Sequence, residues 1–181
     1  MFRKSFLNHI LFFFILSLLI ISCDHGLAPP PKEKIEQGIL GTIYYKGTFP
    51  DSLKEHRLFA AKMYRKFRSM NEIIGLILSA SDSIQIYPSI TQSLPLTKID
   101  SLNYRFVLPP AVYKYIAVAQ TTGAILDSSK WKIVGIYSSD SLRIIPDQVN
   151  IEPGKFIENV NIHVDYDKLP PQPFGIAGRE G

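Results

Sequence analysis

Cysteine is nearly missing from this chain: among 181 residues there is one, Cys23. One thiol closes no internal disulfide, so no covalent staple holds the fold. Tryptophan is equally scarce, with Trp131 alone, and there are four histidines. Of these, only His56 and His163 fall in the long central part of the chain. A metal centre needs grouped His, Cys, Asp or Glu, and this composition predicts neither a metal nor another cofactor. Gly-x-Ser-x-Gly, a phosphate loop and a dinucleotide fingerprint are all lacking. So is a strong excess of charge, with 20 Lys and Arg against 16 Asp and Glu. Nothing in that balance marks a nucleic-acid footprint, and no nucleic-acid partner is expected.

What the chain does have is a distinctive start. Arg3 and Lys4 supply positive charge, Ile10 to Ile21 is an almost unbroken apolar run, and Ile20–Ile21–Ser22–Cys23 closes it. A secretory leader combines a cationic end, an apolar run of ~7–15 residues and a small-residue cleavage site. A spanning helix needs roughly 20 apolar residues, and Asn8 and His9 cut this run short. The closing tetrapeptide resembles the lipobox of bacterial lipoproteins: a branched apolar residue, a small residue, then the cysteine that is lipidated. A plain signal peptide cut near Ser22 and an uncleaved anchor helix are the alternatives.

The lipobox resemblance implies diacylglycerol on the Cys23 sulfur, usually with a further acyl chain on the new amino group. Each buried methylene contributes ~0.8 kcal/mol, and two or more chains anchor stably where one does not. Membrane lipid is thus the expected partner, and the cell envelope, periplasmic or outer face, the expected location. Asp24 marks inner-membrane retention in some enterobacterial lipoproteins, and the choice of membrane stays open. On this reading residues 1–22 are a signal peptide and 23–37 a tether. Pro29–Pro30–Pro31 within the tether forbid helix and favour an extended spacer. The other end, residues 169–181, is also rich in proline and glycine and reads as a flexible tail.

Between these ends, over residues 38–168, the periodicity is mostly two. Val160, Ile162, Val164 and Tyr166 alternate with Asn159, Asn161, His163 and Asp165, which describes one half-buried strand over Phe156 to Tyr166. Tyr104, Phe106 and Leu108 form another run. Val112, Ile116 and Val118 continue it, with Tyr113 and Tyr115 opposite. Further runs are Trp131, Ile133 and Tyr137; Ile39, Ile43 and Tyr45; and Leu58 to Tyr64. Turn pairs separate them, among them Lys46–Gly47, Thr122–Gly123, Ser139–Asp140 and Pro153–Gly154. Many short strands with regular turns predict an all-β sandwich or barrel. Met70 to Leu78 departs from this: Ile73, Ile74 and Ile77 suit one helical face, and the same run serves as a buried strand. Gly75 weakens a helix there by ~1 kcal/mol relative to alanine. An apolar partner-binding patch is the functional alternative for this segment.

Three segments carry a second resemblance: Gly38-Ile-Leu-Gly41-Thr-Ile-Tyr-Tyr45, Gly47-Thr-Phe-Pro50, and Tyr104-Arg-Phe-Val-Leu-Pro-Pro110-Ala-Val-Tyr113-Lys-Tyr115. They resemble carboxypeptidase regulatory-like domains, which are transthyretin-like (prealbumin-like) β-sandwiches of about seven strands. The match runs from Gly38 to Tyr166, with an unmatched insertion around Arg68 to Leu96. Ala111 stands where the family's turn has glycine, so either the turn differs or Ala111 is mildly strained. An immunoglobulin-like sandwich is the rival. The resemblance implies no catalysis; such domains serve as spacer, adhesion, folding or ligand-binding modules.

Chemistry-bearing groups are sparse. His163, Asp165 and Asn161 share a strand face, which suits either a shared ion or a solvated polar surface. Ser129 and Lys132 match Ser-x-x-Lys, but without a partner motif and ahead of a strand-like run. Lys54, His56, Arg57, Lys62, Arg65, Lys66 and Arg68 form a basic stretch, read as a charged strand edge or an attraction to anionic lipid. Trp131, with Tyr113, Tyr115 and Tyr137, is the candidate ligand-binding set, since exposed aromatic rings stack on sugars; a buried core tryptophan is the competing reading. The expected function is a non-enzymatic structural or binding module of the envelope, with an envelope protein or glycan as partner. A carbohydrate-binding accessory lipoprotein and an envelope hydrolase are the alternatives.

Overall fold

The computed structural model describes residues 35–64, 69–79 and 81–173. The expected leader and tether as far as residue 34, with Cys23, lie outside the described residues, as do Arg65, Lys66, Arg68 and residues 174–181. The described residues form one compact unit.

Alternating apolar residues build strands, and here they build more than the seven or so expected. Among the described residues there are ten: β1 (Gly38–Lys46), β2 (Glu55–Ala61), β3 (Ile84–Tyr87), β4 (Ser101–Val107), β5 (Ala111–Tyr113), β6 (Tyr115–Thr121), β7 (Trp131–Ile136), β8 (Val149–Ile151), β9 (Phe156–Ile157) and β10 (Ile162–Asp165). One α-helix, α1 (Met70–Leu78), lies between β2 and β3. The protein is therefore predominantly β. Seven strands follow the order β3-β2-β6-β7-β10-β1-β4, and β9 also pairs with β1. The sheet is mixed, because β9 and β10 run parallel to β1 while its other ladders are antiparallel.

This sheet curls. Leu58 and Ala60 of β2 share a buried cluster with Tyr104 and Phe106 of β4, although four strands separate β2 from β4. In a flat sheet four intervening strands, each ~4.8 Å wide, would hold those side chains far apart. The curl even brings the two end strands together: the rings of Tyr87 in β3 and Phe106 in β4 are 5.5 Å apart between centroids. The small β5–β8 ladder closes one side of this core with Tyr113, Val149 and Ile151.

A second apolar cluster lies on the other face of β2, β6 and β7. Phe59, Tyr115, Ala117, Ala119, Trp131 and Ile133 pack there with Ile73 of α1. All seven residues of β6 are buried, as a strand covered on both faces must be. That cover decides the ambiguous segment: Met70–Leu78 is a helix. Ile73, Ile74 and Ile77 belong to the packed side, whereas Gly75 is exposed with nothing near a would-be Cβ. Glu72 in the first turn suits the positive helix N-terminus.

Several strand expectations change for identifiable reasons. Phe156 to Tyr166 is not one strand. Five residue steps of β1, Gly38 to Ile43, face six of its partner, Phe156 to Ile162. The extra residue forms a bulge, and Asn159 there takes φ 61°. A second bulge places Val134 as an extra residue opposite β6, because Val118 pairs with Gly135 but Ala119 with Ile133. Trp131 and Ile133 consequently face the helix side, while Tyr137 packs against the inner core. Likewise Tyr113 and Tyr115 part company across Lys114, Tyr113 entering the inner core and Tyr115 the helix-side core. Ala111 is not among the residues of positive φ, so the Pro109–Pro110 turn takes a form that alanine tolerates. Its frame is fixed by the Tyr113 hydroxyl, which donates to the Pro109 carbonyl at 3.1 Å.

The basic stretch also needs correction. β2 is an interior strand, flanked by β3 and β6, and its His56 and Arg57 are buried rather than lining an edge. The start of the C-terminal segment does not leave the domain either. Pro170 and Pro173 are buried, and the Gln172 carboxamide accepts from Ile133 N–H and donates to Ile133 C=O, both at 2.9 Å.

Candidate functional site

The aromatic set picked from the sequence does not form a platform. Trp131, Tyr113 and Tyr115 are buried, and they are split between the two cores. Tyr137 is half-buried at the inner core. Burial raises the hydroxyl pKa of Tyr104, Tyr113, Tyr115 and Tyr137, that of Tyr113 to about 12. The Trp131 indole N–H is spent on the Ile125 carbonyl at 2.9 Å. These rings fill the interior because the sheet curls and α1 covers its outer face, neither of which alternation alone reveals.

Other sequence candidates resolve into local structure. Ser129 sits in a single 3-10 turn and donates to Asp127 Oδ1 at 2.6 Å, which leaves Ser129–Lys132 as a turn-capping feature. Asp165 Oδ1 accepts from the backbone of Asp167 and Lys168. Asn161 Oδ1 accepts from Thr42 N–H. Among the described residues no three His, Cys, Asp or Glu side chains gather as a metal site. His163 is exposed and stacks on Tyr44, its register partner in β1, with centroids 5.0 Å apart and planes at 15°. This stack borders a polar concavity that residues 138–143 help to line. Arg143 there takes φ 54° and donates to the carbonyls of His163 and Lys168. Asp140 accepts from the backbone of Leu142 and Ile144, bonds that hold its carboxyl below the usual range.

A different concavity, apolar but for Arg57, lies between α1 and the sheet. Its floor comes from Arg57, Phe59, Ala119 and Trp131, and its wall from Ile73, Ile74 and Ile77. It opens broadly to solvent at its mouth. Its deep part is narrow, about 50 Å³. At the rim Leu78 and Leu126 are 57% and 64% exposed. Room arises because β6 presents alanine here: Ala119 is the register partner of Arg57.

Arg57 is the polar member of that lining and is only 5% exposed. Its Nη1 donates to the carbonyls of Ser89 at 2.7 Å and Pro88 at 3.4 Å. Its Nη2 donates to Ile90 C=O at 2.9 Å and to Glu55 Oε2 at 2.8 Å. The guanidinium thereby clamps the loop after β3. Its Nε has no partner among the described residues. Sequence reasoning picked out Arg57 only as part of a basic run. The groove was not legible because its lining comes from several segments far apart in the chain.

Unpartnered polar atoms also meet at one end of the inner core. His56 has no exposed surface, and its Nε2 lacks a partner among the described residues. It faces Gln120 across the β2–β6 ladder and lies 5.5 Å from the Tyr45 ring, which in turn stacks at 6.4 Å on Tyr166. The Tyr45 and Tyr166 hydroxyls and Gln120 Oε1 are likewise buried without partners. Burial lowers the His56 pKa to about 4 and raises both tyrosines, Tyr166 to about 12.

No protein-family model matches the chain, and neither a curated protein nor a solved structure does.

Proposed function

We propose that this chain is a non-enzymatic, lipid-anchored module of a bacterial cell envelope, built on a transthyretin-like β-sandwich of the carboxypeptidase regulatory-like kind. One observation carries the anchoring: the lone cysteine stands directly after Ile20–Ile21–Ser22 at the end of an apolar run that a positive start precedes. Thioether acylation also disposes of a thiol that would otherwise be exposed to oxidation outside the cell. The proline-rich stretch that follows supplies an extended spacer between lipid and domain.

The sandwich assignment draws on the spaced glycines Gly38 and Gly41 in β1 and on the β4–turn–β5 segment. The test of the anchor is fractionation and mass spectrometry of the full chain expressed in a bacterium. Wild type should pellet with membranes and carry acyl mass on Cys23, and Cys23→Ser should become soluble once its leader is cleaved. Membrane retention of the cleaved Cys23→Ser chain, or an unmodified Cys23 sulfur, would overturn the reading.

Carbohydrate binding is the second reading, and it rests on rings other than those first chosen. Tyr44, 42% exposed, and its stacked neighbour His163 border the polar concavity and offer a sugar both a face and hydrogen-bonding groups. Tyr44→Ala should abolish retention on immobilised envelope glycan if this surface is used.

A further inference from the structure

We propose that the polar concavity beside Tyr44 and His163 takes an acidic sugar, whose carboxylate is held by Arg143 together with Lys46 and Lys168. This rests on the carbohydrate reading of that surface and narrows it to one chemical class.

The charge pattern selects an anion. Lys46, Arg143 and Lys168 line the concavity together with two carboxylates, Asp140 and Asp165. The carboxylates are already engaged. Asp140 Oδ1 accepts from Leu142 N–H at 3.0 Å and its Oδ2 from Ile144 N–H at 3.1 Å. Asp165 Oδ1 accepts from the N–H groups of Asp167 and Lys168 at 3.1 and 3.2 Å. None of the cations is neutralised: Lys46, Arg143 and Lys168 have no ion pair among the described residues. The other two described arginines differ, since Arg57 pairs with Glu55 and Arg105 with Glu36.

Arg143 is also held in place. Its backbone takes φ 54°, a left-handed conformation uncommon outside glycine, and such residues gather at ligand clamps. Its Nη1 and Nη2 each donate to a carbonyl, of His163 and of Lys168. Those bonds orient the guanidinium without cancelling its charge. A planar, fixed guanidinium suits a planar carboxylate, and charge-assisted hydrogen bonds are the stronger kind.

The rings select a sugar over a bare anion. Tyr44 is 42% exposed and stacks on exposed His163, so the pair offers an ordered aromatic surface beside the cations. A pyranose lays its C–H face on such a ring while its hydroxyls remain free for polar groups. A phosphate headgroup of a lipid needs the charges but has no use for the ring.

The experiment is calorimetric titration of the purified full chain at low salt with trigalacturonate and, separately, with its methyl ester. The ester keeps the rings and removes the charge. The acid should bind saturably, the ester about tenfold more weakly, and salt should weaken the acid alone. Lys46→Gln and Lys168→Gln lie at exposed positions that leave folding intact. Each should weaken the acid several-fold and leave the ester unchanged. Tyr44→Ala should abolish binding of both. Equal affinity for acid and ester, lost in Tyr44→Ala, would overturn the acidic preference while the carbohydrate reading stands. Acid binding that survives Tyr44→Ala would overturn both. Unaltered acid binding in a Lys46→Gln, Lys168→Gln double variant would overturn the proposal. So would the absence of saturable acid binding, including the case in which the chain binds phosphatidylglycerol vesicles instead.

Discussion

The Tyr104 hydroxyl donates to the Val160 carbonyl at 2.5 Å, passing over Gly41. Tyr104 and Gly41 are register partners on β4 and β1, and Val160 lies on the bulged segment beyond β1. The bond therefore ties β4 across β1 to the segment between β9 and β10, where the parallel ladder is interrupted. Gly41 is required by space: a Cβ there would sit 2.0 Å from the Val160 oxygen.

Tyr104→Phe should lower stability by about 1–3 kcal/mol, the range for leaving a buried acceptor without its donor. Gly41→Ala should be worse, because the obstacle is backbone and the bulge must move. Chemical denaturation of both variants checks the order. A Gly41→Ala chain as stable as wild type would refute the role assigned to this contact.

His56 makes stability depend on pH. Desolvation lowers its pKa from 6.5 to about 4 in the folded protein, against the weaker opposing effect of the Pro95 carbonyl. As pH falls, the unfolded chain takes up the proton first, so the folded state loses ground between about 6.5 and about 4. Above that window the contribution is complete; below it this group removes no more. The loss amounts to about 3 kcal/mol. Denaturation midpoints at pH 7.5, 5.5 and 4 should show it, and His56→Gln should flatten that part of the profile.

Gly75 lies in the interior of α1 with open space where a Cβ would be. Gly75→Ala should stabilise the protein by about 1 kcal/mol through helix propensity and reduced freedom of the unfolded chain. A raised melting temperature with unchanged circular dichroism is the expected measurement.

Gln172 acts as a surrogate strand for Ile133, satisfying both its N–H and its C=O. Gln172→Ala should speed amide exchange at Ile133 and cost about 1–2 kcal/mol. Exchange as slow as wild type would mean that the edge is protected by something else.

Local rules carried part of this structure. Pro153–Gly154 and Lys46–Gly47 were readable as turns because glycine accepts the positive φ that both positions adopt. Tyr104, Phe106 and Leu108 were readable as one buried face because β4 lies with its other face open to solvent. Phe156 to Tyr166 was readable as alternating but not as broken, since a bulge inserts one residue without changing composition. Arg57 was visible as a charge and invisible as a buried clamp, because its acceptors come from a loop more than thirty residues away.

By itself the sequence determined that this chain would be mostly β, where many of its turns fall, and that a lone cysteine ends an apolar run; each depends on neighbours in the chain. Only the tertiary structure decided that Met70–Leu78 is helical, that Trp131 is buried and that a groove opens beside Ala119. Those outcomes depend on which surfaces meet when the sheet curls, and contacts between distant segments are not written in local periodicity.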